Sequence, residues 1–211
     1  MDVIIRNENV NDYRTVEELT REAFWNVHVP GCSEHFVLHN LRNSPDFIPE
    51  LDFVAEKEGR IVGHIAYTRA IIQSSRGAGK EVISFGPVSV LPEFQKQGTG
   101  SRLIIHSLHT ARAMGCPAVL IYGDPRYYHR FGFRCAEKYE ITTSDGKFAV
   151  ALLALELQPG ALKNVTGRFI ESAAFEVDEQ KFAEYDRTFP YREKAETDSQ
   201  REFRILSSLR Y

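Results

Sequence analysis

The sequence predicts a mixed α/β fold with a sheet of about six or seven strands. Apolar, β-prone runs alternate with amphipathic segments in the middle of the chain, and closely spaced pairs of such runs lie near both ends. The 211 residues are 43% hydrophobic and 26% charged, which is typical of a globular protein. We expect one main domain over residues 1–177 and a helical C-terminal extension over 178–211, packed on the same domain.

The N-terminal part predicts a short strand and two helices. Residues 3–5 are apolar and precede a polar stretch, as in an edge strand. From 11 to 24, apolar residues recur every three or four positions, and Asn11 or Asp12 is the expected cap. A second helix is expected over 34–41, inside a proline-containing region of the kind that often shapes a substrate pocket.

A hairpin and a long strand follow. Residues 52–56 and 60–72 are β-prone runs separated by a turn in which Gly59 permits a positive φ. A glycine-containing loop, 74–80, leads to the next strand, 81–90. These three runs supply the centre of the predicted sheet.

The strand–helix alternation occupies the next part of the chain. An amphipathic helix ends at Gly115, and the apolar run 118–122 predicts a buried strand. Pro125 and Gly132 mark the start and the end of a single short helix. Another strand is expected over 148–157.

The C-terminal part is less regular. Residues 169–177 predict a strand, and 178–189 predict a short helix. Thr197 and Gln200 have the spacing of a capping box ahead of an apolar stripe. We expect this last helix to pack on the core; the alternatives are a dimerisation helix or a lid.

Charge and composition exclude several classes of partner. A formal net charge of -3 provides no basic face for nucleic acid or for an anionic membrane. The N-terminus is too charged for a signal peptide, and no apolar run approaches the ~18 residues that span a bilayer. Cys32, Cys116 and Cys135 show no metal-ligand spacing, so they predict reduced thiols in a cytoplasmic protein.

The stretch ISFGPVSVLPEFQKQGTGSRL, residues 83–103, carries the strongest functional signal. Glycines at the start of a helix let backbone N–H groups approach an anion, and the helix dipole adds roughly half a positive charge there. Gln95 is followed by Gly98 and Gly100, which is neither the GxxxxGK pattern of nucleotide triphosphatases nor the GxGxxG of dinucleotide folds. The loop is therefore predicted to bind phosphate in a class of protein different from these two.

The Gln-x-x-Gly-x-Gly spacing after a strand resembles the acyl-CoA pyrophosphate loop of the GNAT family of N-acetyltransferases. Tyr128-x-x-x-Gly132-Phe133 looks like a second element of that family, and it lies at the usual place downstream. Together the two elements cover roughly residues 81–135, and the resemblance weakens beyond about residue 178. It implies a GNAT-like acyl-CoA N-acyltransferase fold and an enzyme that uses acetyl-CoA, releases coenzyme A and needs no metal.

The resemblance also implies roles for individual residues. Tyr128 would be the general acid for the leaving sulfur, because a phenol holds its proton at neutral pH. The strand edge would pair with the pantetheine arm as an added strand would, and the loop amides would hold the pyrophosphate. The cofactor-binding residues implied are Val88, Ser89, Val90, Gln95, Lys96, Gln97, Gly98, Thr99, Gly100 and Ser101.

The general base and the acceptor stay open. Glu81 precedes the glycine loop on its strand and is the candidate base, with His64 and side chains between 28 and 39 as alternatives. The acceptor is expected to be a small-molecule or peptide amine attacked directly, and an exposed, splayed strand edge would allow a homodimer. The alternative function is a non-catalytic acyl-CoA-binding regulatory module.

Overall fold

A mixed sheet lies at the centre of the computed structural model, which describes residues 3–74, 77 and 79–211. Within those residues it has nine strands in the order β1-β2-β3-β4-β5-β8-β6, with β9 paired to β3 and β7 paired to β9. The α/β class is confirmed, and the short β6 and β7 explain why fewer strands were expected. The strands are β1 (Ile4–Asn7), β2 (Phe53–Lys57), β3 (Arg60–Gln73), β4 (Lys80–Val90), β5 (Ala118–Tyr122), β6 (Arg134–Cys135), β7 (Ile141–Thr142), β8 (Leu152–Glu156) and β9 (Gly167–Ile170).

Helices flank this sheet, and the first one begins differently from the prediction. Asn9, rather than Asn11 or Asp12, is the cap: its side chain accepts a hydrogen bond from the Asn11 N–H. The reason is a 3₁₀ turn, Val10–Asp12, that precedes the helix. The helices are α1 (Tyr13–Phe24), α2 (Glu34–Arg42), α3 (Thr99–Ala113), α4 (Pro125–Tyr128), α5 (Glu179–Asp186) and α6 (Asp198–Ser208).

Two predicted strands differ in their boundaries from the observed ones. The strand predicted over 148–157 is limited to β8, and the one predicted over 169–177 is β9 followed by a 3₁₀ turn, Ala173–Phe175. The predicted loop 74–80 lies partly outside the described residues. The hairpin turn is as expected, because Gly59 has a φ of 75°.

The two faces of the sheet carry different helices. On one face, Tyr67 Oη of β3 lies 2.8 Å from Ser107 Oγ of α3. On the other face, Ser89 Oγ of β4 lies 2.9 Å from Thr20 Oγ1 of α1. We call these the α3 face and the α1 face; successive residues of a strand alternate between them.

The sheet opens between β4 and β5. Between Ile65 and Tyr67 of β3 the paired register on β4 advances by three residues, which places a bulge at Gly86–Pro87. β4 and β5 are parallel and pair at Ile83 and Val119, so beyond the bulge the two strands part. We call this gap the split.

Helix α5 docks the C-terminal extension on the first two helices. Arg21 Nε of α1 lies 2.8 Å from Asp186 Oδ1 of α5, and His35 Nε2 of α2 lies 3.1 Å from the same oxygen. Both Arg21 and His35 are buried. The extension thus contacts helices α1 and α2, and a domain boundary at residue 177 stays a prediction.

Helix α6 lacks the predicted capping box. Thr197 Oγ1 donates to the Asn26 carbonyl at 2.7 Å, and Gln200 Nε2 donates to the same carbonyl at 3.1 Å. Both side chains therefore bind another segment of the chain instead of the helix start. Phe203 stacks on His28 with ring centroids 4.4 Å apart. None of the helices in the described ranges has the length and apolar character needed to cross a membrane.

Candidate active site

The glycine loop places the start of α3 beside the end of β4. Gly98 precedes the helix with a φ of 88°, a left-handed conformation that favours glycine. No side chain in the described part of the chain caps α3. The first N–H groups of the helix, from Thr99 to Ser101, have no partner within the helix, so they and the dipole are available to an anion.

Two glutamine side chains hold this loop in place. Gln95 Nε2 donates to the Val90 carbonyl at 2.9 Å, which ties the loop to the last residue of β4. Gln97 Nε2 donates to the Glu93 carbonyl at 2.8 Å. The side chains of both glutamines are therefore engaged with the protein backbone, and any contact they make with a phosphate would be through their backbone N–H groups.

A cleft of about 680 Å³ brings most of the predicted site together. It runs from the start of α3 along the edge of β4 to α4. Eight of the predicted residues line it: Val88, Val90, Gln95, Lys96, Gly98, Gly100, Ser101 and Tyr128. The arrangement joins an anion-binding helix start, an apolar strand edge and a phenol.

Other predicted residues lie beside the cleft or far from it. Ser89 points its side chain to Thr20 on the α1 face, and the methyl group of Thr99 packs toward Gly63. Glu81 is exposed at the start of β4, seven residues before Val88, or about 23 Å along an extended strand. The structure does not bring Glu81 to the cleft, so it is not retained as a candidate base.

Five further residues line the cleft that the sequence did not assign to the cofactor site: Ala23, Phe24, Val27, Tyr127 and Arg130. Neighbouring residues on a long helix, such as Tyr127 and Tyr128, would point in different directions. Helix α4 has only four residues, and the rings of Tyr127 and Tyr128 meet at 5.0 Å, so both reach the cleft. The Arg130 guanidinium lies 4.7 Å from the Tyr127 ring centre and adds a positive charge to the cleft.

Aromatic packing fixes the position of Tyr128. Its ring lies 6.0 Å from that of Phe85 on β4 and 5.8 Å from that of Phe133. A Cβ at Gly123 would overlap the Tyr128 ring, so the ring rests directly on the backbone after β5. Burial, followed by the neighbouring Tyr127, raises the pKa of Tyr128 above its usual value near 10, so the phenol is protonated at neutral pH.

A second group of titratable residues lies in the core and does not line the cleft. Burial raises the pKa of Glu8 to about 8 and that of Asp52 to about 6, and it lowers the pKa of His64 to about 4. The ligand atoms of these three residues lie within 4.8 Å of one another, as a metal site would require. Arg42 binds both oxygens of Glu8, at 2.6 and 3.0 Å, and His64 Nε2 lies 2.7 Å from Asp52 Oδ1. These hydrogen bonds explain the cluster as a structural feature of the buried core.

Comparison with known proteins identifies relatives of this arrangement. Residues 50–135 match the family model of the acetyltransferase (GNAT) domain. Over 89 residues, 42% of the chain, the sequence is 40% identical to the uncharacterized N-acetyltransferase YjhQ of Escherichia coli strain K12. That match spans about half (49%) of YjhQ.

Two solved structures share the fold over most of their length. The GNAT family N-acetyltransferase YhbS of Escherichia coli, crystallised with CoA, has a TM-score of 0.72 and 26% identity, covering 82% of this chain and 91% of YhbS. A GNAT family acetyltransferase of Brucella melitensis, crystallised with acetyl-CoA, has a TM-score of 0.66 and 30% identity. The match covers 83% of this chain and 99% of the Brucella protein. The chain belongs to the GNAT family of N-acetyltransferases.

Proposed function

We propose that this protein transfers an acetyl group from acetyl-CoA to a primary amine by direct attack. The observation that carries the proposal is the shared cleft, in which the start of α3, the free edge of β4 and Tyr128 meet. The CoA and acetyl-CoA complexes of the two related structures support the same donor.

The cleft fits the two ends of the donor. The diphosphate would accept hydrogen bonds from the N–H groups of Thr99, Gly100 and Ser101, where the helix dipole favours negative charge. The pantetheine arm would follow Val88 and Val90 as an added strand, because β4 has left β5 at this point. The thioester would then lie near the split, close to Tyr128.

The reaction needs one bond to form and one to break. The amine nitrogen attacks the thioester carbonyl, a carbon–nitrogen bond forms, and the carbon–sulfur bond then breaks. A backbone N–H near Val90 would stabilise the oxyanion of the tetrahedral intermediate. Tyr128 would donate its proton to the departing sulfur, and the phenolate would recover a proton from the acetylated nitrogen.

The test is thiol release from acetyl-CoA with a panel of alkyl monoamines, alkyl diamines, amino acid amides and short peptides. We expect turnover with at least one acceptor, and Tyr128→Phe should lower kcat by roughly 10- to 100-fold, because it removes the proton but keeps the ring. The dissociation constant for acetyl-CoA, from calorimetry, should change by less than about twofold. Tyr139→Phe removes a phenol outside the cleft and serves as the matched control.

The same experiment separates an enzyme from a regulatory acyl-CoA-binding module. Binding of acetyl-CoA without thiol release by any acceptor would favour the module. Full activity of Tyr128→Phe would contradict the assigned acid while leaving the transferase intact.

A further inference from the structure

A group of polar side chains on the α1 face of the sheet adjoins the split, and the acetyl-CoA cleft does not use it. Tyr122 is the last residue of β5, and the register of the sheet fixes its face. Tyr67 faces α3 and pairs with Phe85, so Ile83, two residues before Phe85, also lies on the α3 face. Val119 of β5 pairs with Ile83, so Tyr122, three residues later, lies on the α1 face. The Tyr122 ring lies 6.1 Å from that of Phe169 on β9. The end of β9 therefore reaches the edge of β5 on this side of the sheet.

Glu171 follows β9 directly, two residues after Phe169, which places its side chain on the same face by strand alternation. The carboxylate is half-buried. Burial alone raises the pKa of Glu171 to about 7, because no charged or hydrogen-bonding neighbour in the described ranges contributes. The pKa of Tyr122 is raised by burial first and by Glu171 second, so the two groups are close.

The segment after Glu171 reaches the β4 bulge. A Cβ at Gly86 would lie 3.7 Å from Cε1 of Phe175, so the Phe175 ring covers the bulge from the α1 face. Ser172 Oγ lies 3.2 Å from Ser44 Oγ, which fixes the segment against the chain after α2. Glu171 is thus held between an edge of β5 and the bulge of β4.

Two buried hydroxyl groups on this face also lack partners. Thr68 of β3 is paired in register with Ser84 of β4, and strand alternation places both on the α1 face. Among the described residues, neither hydroxyl has a hydrogen-bond partner, although both side chains are buried. Buried polar groups are normally paired. On this side of the sheet, the two hydroxyl groups could therefore form further hydrogen bonds, and the Glu171 carboxylate could bind one positive charge.

We propose that Glu171 binds the amino group of the acceptor on the α1 face, beside Tyr122, and takes its proton before attack. The inference rests on the proposed function. It restricts the acceptor to primary amines that are cations at neutral pH. An ammonium group would supply the positive charge and the hydrogen-bond donors with which the Glu171 carboxylate could pair. The donor reaches the split from the α3 face and the acceptor reaches it from the α1 face.

The proton balance follows from these positions. The Glu171 carboxylate takes one proton from the ammonium group, which leaves a neutral nucleophile. The amine then attacks, and the carbon–sulfur bond breaks as described above, with Tyr128 supplying the proton to sulfur and regaining one from nitrogen. Glu171 releases its proton to solvent, so one proton leaves for each acetyl group transferred.

The test compares Glu171→Gln with the wild-type chain on two nucleophiles, an alkyl amine taken from the turnover panel and O-methylhydroxylamine, whose amino group is uncharged at neutral pH. We expect Glu171→Gln to lower kcat/KM by about 100-fold or more with the alkyl amine and by less than about fivefold with O-methylhydroxylamine. The dissociation constant for acetyl-CoA should stay within about twofold. Glu176→Gln, an exposed neighbour in the same segment, is the matched control and should behave as wild type.

Stability provides a second, independent readout. A half-buried carboxylate without a partner is not a stabilising group in the free protein, so Glu171→Gln should leave the melting temperature unchanged or raise it. Equal losses with both nucleophiles, or a lowered melting temperature, would indicate a structural role and overturn the inference. If the wild-type protein acetylates amines and Glu171→Gln does so equally well, the inference fails alone. If the wild-type protein binds acetyl-CoA and acetylates nothing, the proposed function fails with it.

Discussion

At the scale of single residues, the position of the proposed acid depends on a residue without a side chain. The Tyr128 ring occupies the space that a Cβ at Gly123 would need. The φ of Gly123 is not in the left-handed region, so a larger residue is excluded there by contact with the ring and not by backbone strain. Gly123 therefore acts through Tyr128.

We expect Gly123→Ala to displace the Tyr128 ring and to lower kcat by roughly 10- to 100-fold, with acetyl-CoA affinity within about threefold of wild type. Because both changes act on one phenol, the double variant Gly123→Ala with Tyr128→Phe should lose little more activity than either single variant. Additive losses in this double-mutant cycle would show that Gly123 has a separate role.

At the scale of elements, local patterns predicted most of the residues that line the cleft, whereas the residues of the proposed acceptor site are brought together by distant contacts. Gly98 and Gly100 start a helix directly after a strand, and that order is readable along the chain. The proposed base Glu171 lies near the end of β5 because β9 pairs with β3, about 100 positions earlier in the sequence. Glu81 lies away from the cleft although it shares β4 with Val88, because most of the length of the strand separates the two residues.

The start of α3 allows binding and folding to be tested separately. A Cβ at Gly100 would lie 3.5 Å from Cγ2 of Val90 and 3.6 Å from Oη of Tyr127, which are ordinary contacts. Gly100→Ala should therefore fold normally, with stability unchanged or up to about 1 kcal/mol higher, because alanine favours a helix. Under the proposed function, the added methyl group would fill space that the diphosphate needs.

We expect Gly100→Ala to weaken acetyl-CoA binding by about tenfold, or ~1.4 kcal/mol, as measured by calorimetry. Ser101→Ala changes a side chain at the same helix end but keeps the backbone donors, so its affinity should stay within about threefold. Equal affinities for Gly100→Ala and wild type would mean that the phosphate lies elsewhere.

At the scale of the whole molecule, the C-terminal segment supplies partners to charged and polar groups buried on α1 and α2. The Arg21 side chain is 6% exposed and His35 is fully buried, and both meet the Asp186 carboxylate. The sequence predicted a helix here and its packing on the domain, but not the charge pairing, because Arg21, His35 and Asp186 lie on three separate helices. Composition cannot indicate which charges meet across such distances.

Removal of that carboxylate should be costly. We expect Asp186→Ala to lower the free energy of unfolding by about 3 kcal/mol, because it leaves a buried arginine without its partner. Asp178→Ala removes the two hydrogen bonds that its carboxylate accepts from the Gln180 and Lys181 N–H groups at the start of α5, together with an exposed contact 3.9 Å from Lys181 Nζ, and it should cost about 1 kcal/mol. Urea unfolding of both variants measures the difference, and similar small losses would show that α5 is a peripheral attachment.

The hydrogen bond from Gln95 to the Val90 carbonyl has a consequence for the choice of acyl carrier. It ties the loop to the last residue of β4, so under the proposed function the protein would set the distance between the diphosphate and the first position of the pantetheine arm. An acyl-pantetheine without its nucleotide would keep the thioester but lose the diphosphate. Its position along β4 would then not be fixed by the loop. Carriers of a different span would present their thioester before or beyond the split, and the protein would discriminate among them by length as well as by charge.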